Sequence, residues 1–411
     1  MEYMESIISK INNYMEREAN FDSRQENQIE LTFIRLNGLS NTVYLVKVFD
    51  KTSKTLLKEL IYRKFGEISE LMDRNTEMEI IDSLSSKSFT PKILETDGTS
   101  YRIEEYIGNS DVLPRILINE DFIIEKMINL LVSYSLITSI YNFTLISDSL
   151  SKEYQISFDP QFQEIKRQNI FDKCTVLMYN KAKVNFEIFI HKLGKKNDNL
   201  ICEEVMEKIF KIKSYMENYK DLFAKVLPKK GIATVCHNDV HRLNLLLTED
   251  NSKIIVLDHE YACLNIAGVD IVNYMIETKF DYTKKAFPFY EFERDSLEID
   301  FARFYEVFLK FMQRFEEEHS IDADKEYFTR FQKCKTPKYF HRIVCVISLF
   351  WIVYSVMYLD YDDFVEKNKF DMLNHAIDRI FIFEKAYAAL ENLKKEVNEE
   401  AVIIDSGLFI D

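Results

Sequence analysis

Positive charge, paired cysteines and tryptophan are what this chain has little of. Its 411 residues carry 53 Lys and Arg against 68 Asp and Glu, a formal net charge of −15. That balance argues against a protein that binds nucleic-acid phosphates. The six cysteines, Cys174, Cys202, Cys236, Cys263, Cys334 and Cys345, form no Cys-x-x-Cys pair. In a chain of this length they read as buried free thiols of a reducing, cytoplasmic compartment. The first residues, Met-Glu-Tyr-Met-Glu-Ser, lack a basic region followed by an apolar core, so no secretory signal is expected. No internal repeat and no low-complexity segment is visible. The most apolar run, residues 343–359, contains Ser348, Tyr354 and Ser355 and is closed by Asp360. It lies at the short end of the ~17–25 residues that span a bilayer, so it reads as a buried helix and no membrane insertion is expected.

What is present is an ordinary globular balance, 47% hydrophobic and 29% charged. The length suffices for one bilobed enzyme or two compact domains with large cores. Residues 4–18 place Met4, Ile7, Ile8, Ile11 and Met15 at helical spacing. From Ile29 the pattern turns to strand, with Leu31, Phe33 and Ile34, a polar turn at 37–41, then Val43, Leu45, Val46 and Val48. Small residues at that turn let backbone amides approach phosphates, although its single Gly38 also fits a plain hairpin. Residues 56–65 include the apolar Leu56, Leu57, Leu60 and Ile61 and lead into Arg63-Lys64-Phe65-Gly66. A basic residue there suits nucleotide phosphates, as the strand lysine of protein kinases does. Arg63 and Lys64 compete for that role, against a plain surface pair. Residues 72–84 are helical in pattern, and either Glu77 or Glu79 can pair with Arg63. Two short strands around Asp97-Gly98 read as a hairpin. Beyond Gly108 helices are expected over 122–141, 205–227, 301–318, 342–359 and 370–393, while 142–200 carries no recognisable chemistry.

The chemistry concentrates in residues 235–282. His237, Asp239 and Asn244 are followed by the apolar run 254–257 and then Asp258. Protein kinases space a catalytic-loop Asp, a metal-binding Asn and a second metal-binding Asp on a following strand in this way. An attacking hydroxyl needs a carboxylate near its proton, which Asp239 supplies. Magnesium prefers oxygen ligands, and Asn244 and Asp258 offer an amide and a carboxylate oxygen. Asp239 and Asn244 alone would pass for loop residues capping a turn. The full order is far more specific.

The same stretch closely resembles the signature of the choline/ethanolamine kinase family. Asp258-His259-Glu260-Tyr261-Ala262, Asn265, Gly268, Asp270-Ile271, Asn273, Glu277 and Asp281-Tyr282 follow its pattern Asp-Phe-Glu-Tyr-Ala, Asn, Gly-x-Asp-Ile, Asn, Glu, Asp-Tyr. His237-Asn238-Asp239 and Asn244 resemble its phosphotransferase motif. His259 stands for the usual Phe, and Ala267 for an Arg often found before the Gly. Upstream, Gly38-Leu39-Ser40-Asn41 with Tyr44 resembles the nucleotide loop, with Asn37 for a frequent first Gly. Arg63-Lys64-Phe65-Gly66 resembles a strand end Arg-x-Tyr-Gly, and residues 102–107 the last N-lobe strand and hinge.

The resemblance covers about residues 28–110 and 230–375. It implies an α+β, bilobed, protein-kinase-like fold, with a small antiparallel-sheet N-lobe over 1–108 and a larger, mostly helical C-lobe over 109–411. It implies ATP and Mg2+ as cofactors, a small amino-alcohol substrate and a homodimer. Asp239 is then the base, with His237 bracing its loop. Ser40, Asn41 and Arg63 meet the nucleotide, and backbone groups around Glu105 and Ile107 meet the adenine. Asn244 and Asp258 hold the metal, with Glu260 assisting. A quaternary ammonium is recognised by aromatic faces and counter-charge, and the resemblance builds that pocket from Tyr261, Glu277, Tyr282, Trp351 and Tyr354. Tyr354 replaces a second Trp, and Tyr361 and Phe364 compete for a further aromatic place. Without the resemblance, Trp351 would read as core. The activity implied is phosphorylation of choline to its phosphate ester, phosphocholine, for phospholipid head groups. The alternatives are an ethanolamine kinase, an aminoglycoside-type phosphotransferase, and an inactive scaffold.

Overall fold

The periodicities become elements in a computed structural model that describes residues 2–18, 29–36, 41–66, 74–108, 110–135, 141–146, 155–156, 177–195, 203–228, 230–319 and 331–403. In chain order these are α1 (Glu2–Arg17), β1 (Ile29–Leu36), β2 (Thr42–Asp50), β3 (Leu56–Lys64), α2 (Arg74–Ser85), β4 (Ile93–Thr96), β5 (Tyr101–Glu105) and β6 (Ser110–Val112). There follow α3 (Asp121–Ser135), β7 (Tyr141–Ile146), β8 (Gln155–Ile156), α4 (Tyr179–Lys195), α5 (Glu203–Glu217), α6 (Tyr219–Val226), β9 (Lys230–Cys236), β10 (Leu245–Thr248), β11 (Ile254–Val256) and β12 (Cys263–Ile266). The last are α7 (Val269–Glu277), β13 (Phe280–Asp281), β14 (Glu291–Phe292), α8 (Leu297–His319), α9 (Pro337–Met357), α10 (Tyr361–Glu366) and α11 (Met372–Ile403).

Two compact units result, one of residues 1–111 with 246–260, the other of 112–245 with 261–411. The division lies three residues past the expected Gly108, and the first unit also takes 246–260, which a linear split at 108 assigns to the second lobe. In the first unit five antiparallel strands run in the order β1-β2-β3-β5-β4. Residues 7, 11, 14 and 15 share one helical face, and α1 lays Ile7, Ile11, Tyr14 and Met15 on Val46, Val48, Leu60, Tyr62 and Ile103 of the sheet. Ile8, one step off that stripe, is exposed instead. The Val256 amide donates to the Phe89 carbonyl and ties β11 into this unit.

The second unit is mainly helical. Its central helix is α9, whose N-cap Thr336 hydroxyl accepts from the Tyr339 amide, with proline in the first turn. That cap starts the helix five residues before the expected 342. By length and composition α9 is the one described helix that could cross a bilayer, and 89% of its apolar window is buried inside the protein. Two expectations fail here. The helix expected over 122–141 is α3 only to Ser135, and Tyr141 opens β7, which pairs with β9. Tyr141, Phe143 and Leu145 alternate with polar residues up to Leu145, a period of two that suits a strand. The helix expected over 205–227 is α5 and α6, broken at Asn218. Cys236, Cys263, Cys334 and Cys345 are buried and in no disulfide, as expected; Cys174 and Cys202 lie outside the described residues, as does Ser40.

Candidate active site

In the first unit the site grows from the pleat of β3. Alternation turns Arg63 inward and Lys64 outward, leaving Arg63 buried and Lys64 exposed. Arg63 donates from Nε to Glu104 Oε1 at 3.1 Å and from Nη1 to Asp258 Oδ1 at 3.1 Å. Burial works against its charge, but Asp258 and Glu104, with Glu260 and Glu77 farther off, overcome it and hold the guanidinium above its ordinary value. Directly across the ladder lies Arg102, which pairs with Glu104 and Glu77. Glu77 is buried and also accepts from Arg74 at 2.6 Å. Burial alone would raise it, yet Arg102 and Arg74 bring its carboxyl down to about 2. The expected partnership of a helix glutamate with Arg63 is therefore redirected. Arg102 stands opposite Arg63 and takes Glu77, while Arg63 takes Glu104; Glu79 is exposed.

Asp258 has φ 61°, a left-handed conformation that a non-glycine residue adopts at a cost. Its neighbours explain how the strain is held. His259 Nε2 is 2.7 Å from Thr90 Oγ1, so the departure from Phe at 259 is a buried histidine with a hydroxyl partner. Glu260 Oε2 accepts from Asn41 Nδ2 at 2.9 Å, and Asn41 Oδ1 accepts from the Gly66 amide at 3.2 Å. At the expected hinge, the Glu105 amide donates to the Lys92 carbonyl, and the Ile107 carbonyl accepts from Ser110 Oγ at 3.0 Å.

In the second unit β9 delivers the loop 237–239. Asp270, in the first turn of α7, accepts the His237 amide at 2.7 Å and the Asn238 amide at 2.8 Å. Burial raises its pKa, while those two amides and His237 pull the other way. Asn238, at φ 67°, donates to the Tyr261 carbonyl at 2.9 Å and accepts from Asn265 Nδ2 at 2.7 Å. His237 Nδ1 accepts the Asp239 amide at 3.2 Å, so its imidazole braces the loop. Asn244 Nδ2 donates to both the backbone oxygen and Oδ2 of Asp239, each at 3.0 Å. That leaves Asp239 Oδ1 buried with no hydrogen bond. It also turns Asn244 Oδ1 away from Asp239.

Several aromatic residues of this unit join in one cluster. Trp351 and Tyr354 of α9 meet edge to face at 4.9 Å, and Tyr354 meets Tyr261 at 6.0 Å. Trp351 Nε1 donates to Asn273 Oδ1 at 2.9 Å. Glu277 accepts from Tyr282 OH at 2.7 Å and from Arg379 Nη2 at 2.6 Å. The Arg379 guanidinium lies 4.0 Å from the Phe280 ring centroid and 5.0 Å from that of Trp351. Glu277, expected as counter-charge for a ligand, is thus already compensated by a buried arginine. Tyr361 and Phe364 contact Phe189 of α4. The ring that reaches both Trp351 and Tyr282, each at 6.4 Å, is His375. Its Nε2 faces Arg379 at 3.2 Å and its Nδ1 faces Ser355 Oγ at 2.7 Å. Guanidinium only donates, so Nε2 accepts and the proton sits on Nδ1. Burial and then Arg379 push the His375 pKa well below the ordinary value. Sequence reading missed Arg102, His375 and Arg379.

An antiparallel-sheet unit and a mainly helical unit, with this loop, define a protein-kinase-like fold. The chain is similar to a choline kinase of Cryptosporidium parvum, 20% identical with a TM-score of 0.60 over 95% of this chain and 97% of that one. It is also similar to an ethanolamine kinase of Plasmodium vivax, 16% identical with a TM-score of 0.51 over 91% of this chain and 85% of that one. Residues 33–384 match the family model for choline/ethanolamine kinase, and the chain belongs to that family. Among curated relatives it is 34% identical over 98 residues to mouse choline kinase alpha, 21% of each chain, and 31% identical over 87 residues to a human choline/ethanolamine kinase, 20% of this chain and 21% of that one. The matched stretches span about a fifth of those relatives, 21% of their length.

Proposed function

We propose that the protein is an ATP- and magnesium-dependent choline kinase of the cytoplasm, transferring the γ-phosphate to the choline hydroxyl. The carrying observation is Asp239: one carboxylate oxygen is fixed by Asn244, and the other is buried without a hydrogen bond. The hydroxyl proton passes to that carboxylate as the hydroxyl oxygen forms its bond to phosphorus. The bond from phosphorus to the bridging oxygen breaks, and its electron pair leaves with ADP. Asn244 Oδ1 and the Asp258 carboxylate are oxygen donors of the kind magnesium takes. A magnesium ion held by such donors would offset phosphate charge. Arg63 uses Nε and Nη1 on Glu104 and Asp258, and its Nη2 would serve a nucleotide phosphate.

The acceptor reading rests on the cluster around Trp351. Because Arg379 compensates Glu277, recognition of a cation falls to the faces of Trp351, Tyr354, Tyr261 and Tyr282. Each cation–π contact contributes roughly 0.5–2 kcal/mol. Choline has no N–H to satisfy, whereas ethanolamine would bring three into a box with few acceptors. The test is phosphate transfer from ATP to choline, ethanolamine and an aminoglycoside, side by side. Choline is expected to give the highest kcat/KM. A tenfold advantage for ethanolamine makes the protein an ethanolamine kinase, and turnover of none of the three favours a scaffold.

A further inference from the structure

Arg379 places a cation of the protein's own inside the aromatic cluster that is proposed to receive one from the substrate. On α11 it follows His375 by four residues, so the two side chains share a helix face. Its side chain is 1% exposed and that of Glu277 2%. Arg379 Nη2 donates to Glu277 Oε1 at 2.6 Å and to Tyr282 OH at 3.0 Å, and Nε donates to His375 Nε2 at 3.2 Å. Nη1 is buried with no hydrogen bond. The guanidinium instead lies over rings, 4.0 Å from the Phe280 centroid and 5.0 Å from that of Trp351. It thus takes up ring face of the kind a ligand ammonium uses. Tyr282 OH donates to Glu277 Oε2 at 2.7 Å, so each oxygen of that carboxylate already accepts a bond. The buried pair is neutral as a whole.

We infer that Arg379 determines which ammonium the site accepts. By holding Glu277 it withholds that carboxylate's charge and oxygens from the substrate, and so selects nitrogens that carry methyl groups over those that carry N–H. This deepens the proposed choline reading and rests on it. A trimethylated nitrogen has no donor to satisfy, so ring faces suffice for it. Each N–H brought in without an acceptor costs the water it leaves behind. A released Glu277 would remove that cost and favour a primary ammonium through charge-assisted bonds. Arg379 therefore acts on specificity through Glu277 and takes no part in the transfer of phosphate.

The test uses the full-length protein with ATP, magnesium and a graded set of acceptors: ethanolamine, its N-methyl and N,N-dimethyl forms, and choline. Their charged nitrogens carry three, two, one and no N–H. In wild type kcat/KM is expected to climb with each methyl group. In Arg379→Met the choline-to-ethanolamine ratio should drop by at least about tenfold, the worth of one bond to a charged group, with the change in the KM for ethanolamine. A merely structural loss would lower all four acceptors alike and leave the ratio where it was. Removing one partner of a buried pair destabilises a fold, so Arg379→Met is also combined with Glu277→Gln, which leaves no charge behind. The double variant should bring the ratio back to within about threefold of wild type. Thermal melts report folding. If the single variant does not fold, the double decides: a choline KM raised by about tenfold or more means that Glu277 served the ligand, and overturns the inference. A ratio unmoved by Arg379→Met overturns it too, as does a double variant no closer to wild type than the single. A wild type that uses none of the four, or prefers ethanolamine, overturns the proposed choline kinase and this role with it. A wild type that prefers choline, with the ratio unchanged in the variant, overturns only the role of Arg379.

Discussion

Asp239 and its two oxygens set the expectations at the scale of single residues. Asp239→Asn keeps the bonds to Asn244 geometrically possible but removes the proton acceptor. Turnover should fall by about 10²–10⁴ while the melting temperature and nucleotide binding stay near wild type. A variant with more than half of normal turnover removes Asp239 from the chemistry. Asp258→Ala should weaken magnesium-dependent ATP binding more than Asn244→Ala, because it removes a charged ligand; calorimetry across a magnesium titration measures both. If raised magnesium leaves the two variants inactive while ATP binds normally, the metal assignment is wrong. Trp351→Ala should raise the KM for choline more than that for ethanolamine. Losing one contact of roughly 0.5–2 kcal/mol corresponds to about 2- to 30-fold.

Elements hold those residues in place, and α7 does so most directly. Asp270 grips the His237 and Asn238 amides only because the chain turns sharply at Gly268, at φ 89°. A Cβ at Gly268 would lie 2.5 Å from Phe308 Cε2 of α8. Gly268→Ala therefore meets both backbone strain and a clash, and should cost about 1–3 kcal/mol, read as a lowered melting temperature. Adding Phe308→Leu should return part of the loss, and a double-mutant cycle with no coupling would contradict the packing account. This scale also decided what the sequence could reveal. The pleat of β3 separates Arg63 from Lys64 once the strand is accepted, and the motif 237–244 is legible because its parts are neighbours in the chain. Arg102 and Arg379 carried no such signal. Arg102 pairs with Glu77 across 25 residues and Arg379 with Glu277 across 102, and an arginine in a strand or a helical pattern reads as solvated surface until its partner is known.

At the scale of the whole molecule, buried titratable groups tie stability to pH. His375 is held well below its ordinary value of 6.5 by burial and Arg379, and burial brings His341 to about 4. The unfolded chain therefore binds these protons first, and stability falls as pH drops below about 6.5. Glu77, at about 2 rather than 4.5, adds a loss below about 4.5. Asp270 and Asp371, raised by burial, act with the opposite sign between their ordinary value of 3.8 and their raised ones. The two histidines set the loss that begins near 6.5, and His375→Gln should flatten the rise in melting temperature there by about half. An unchanged slope would mean that His375 is not held neutral. The place of 246–260 in the first unit was not legible in the sequence, because it depends on pairing such as Val256 with Phe89 rather than on local pattern. The central claim, that the loop around Asp239 transfers phosphate to a quaternary amino alcohol, is tested most directly by phosphorus NMR. ATP, magnesium and equal choline and ethanolamine would be incubated with wild type and with Asp239→Asn in parallel. The account predicts that phosphocholine accumulates ahead of phosphoethanolamine with wild type and that neither accumulates with the variant. Phosphoethanolamine forming tenfold faster, or equal product from the variant, would contradict it.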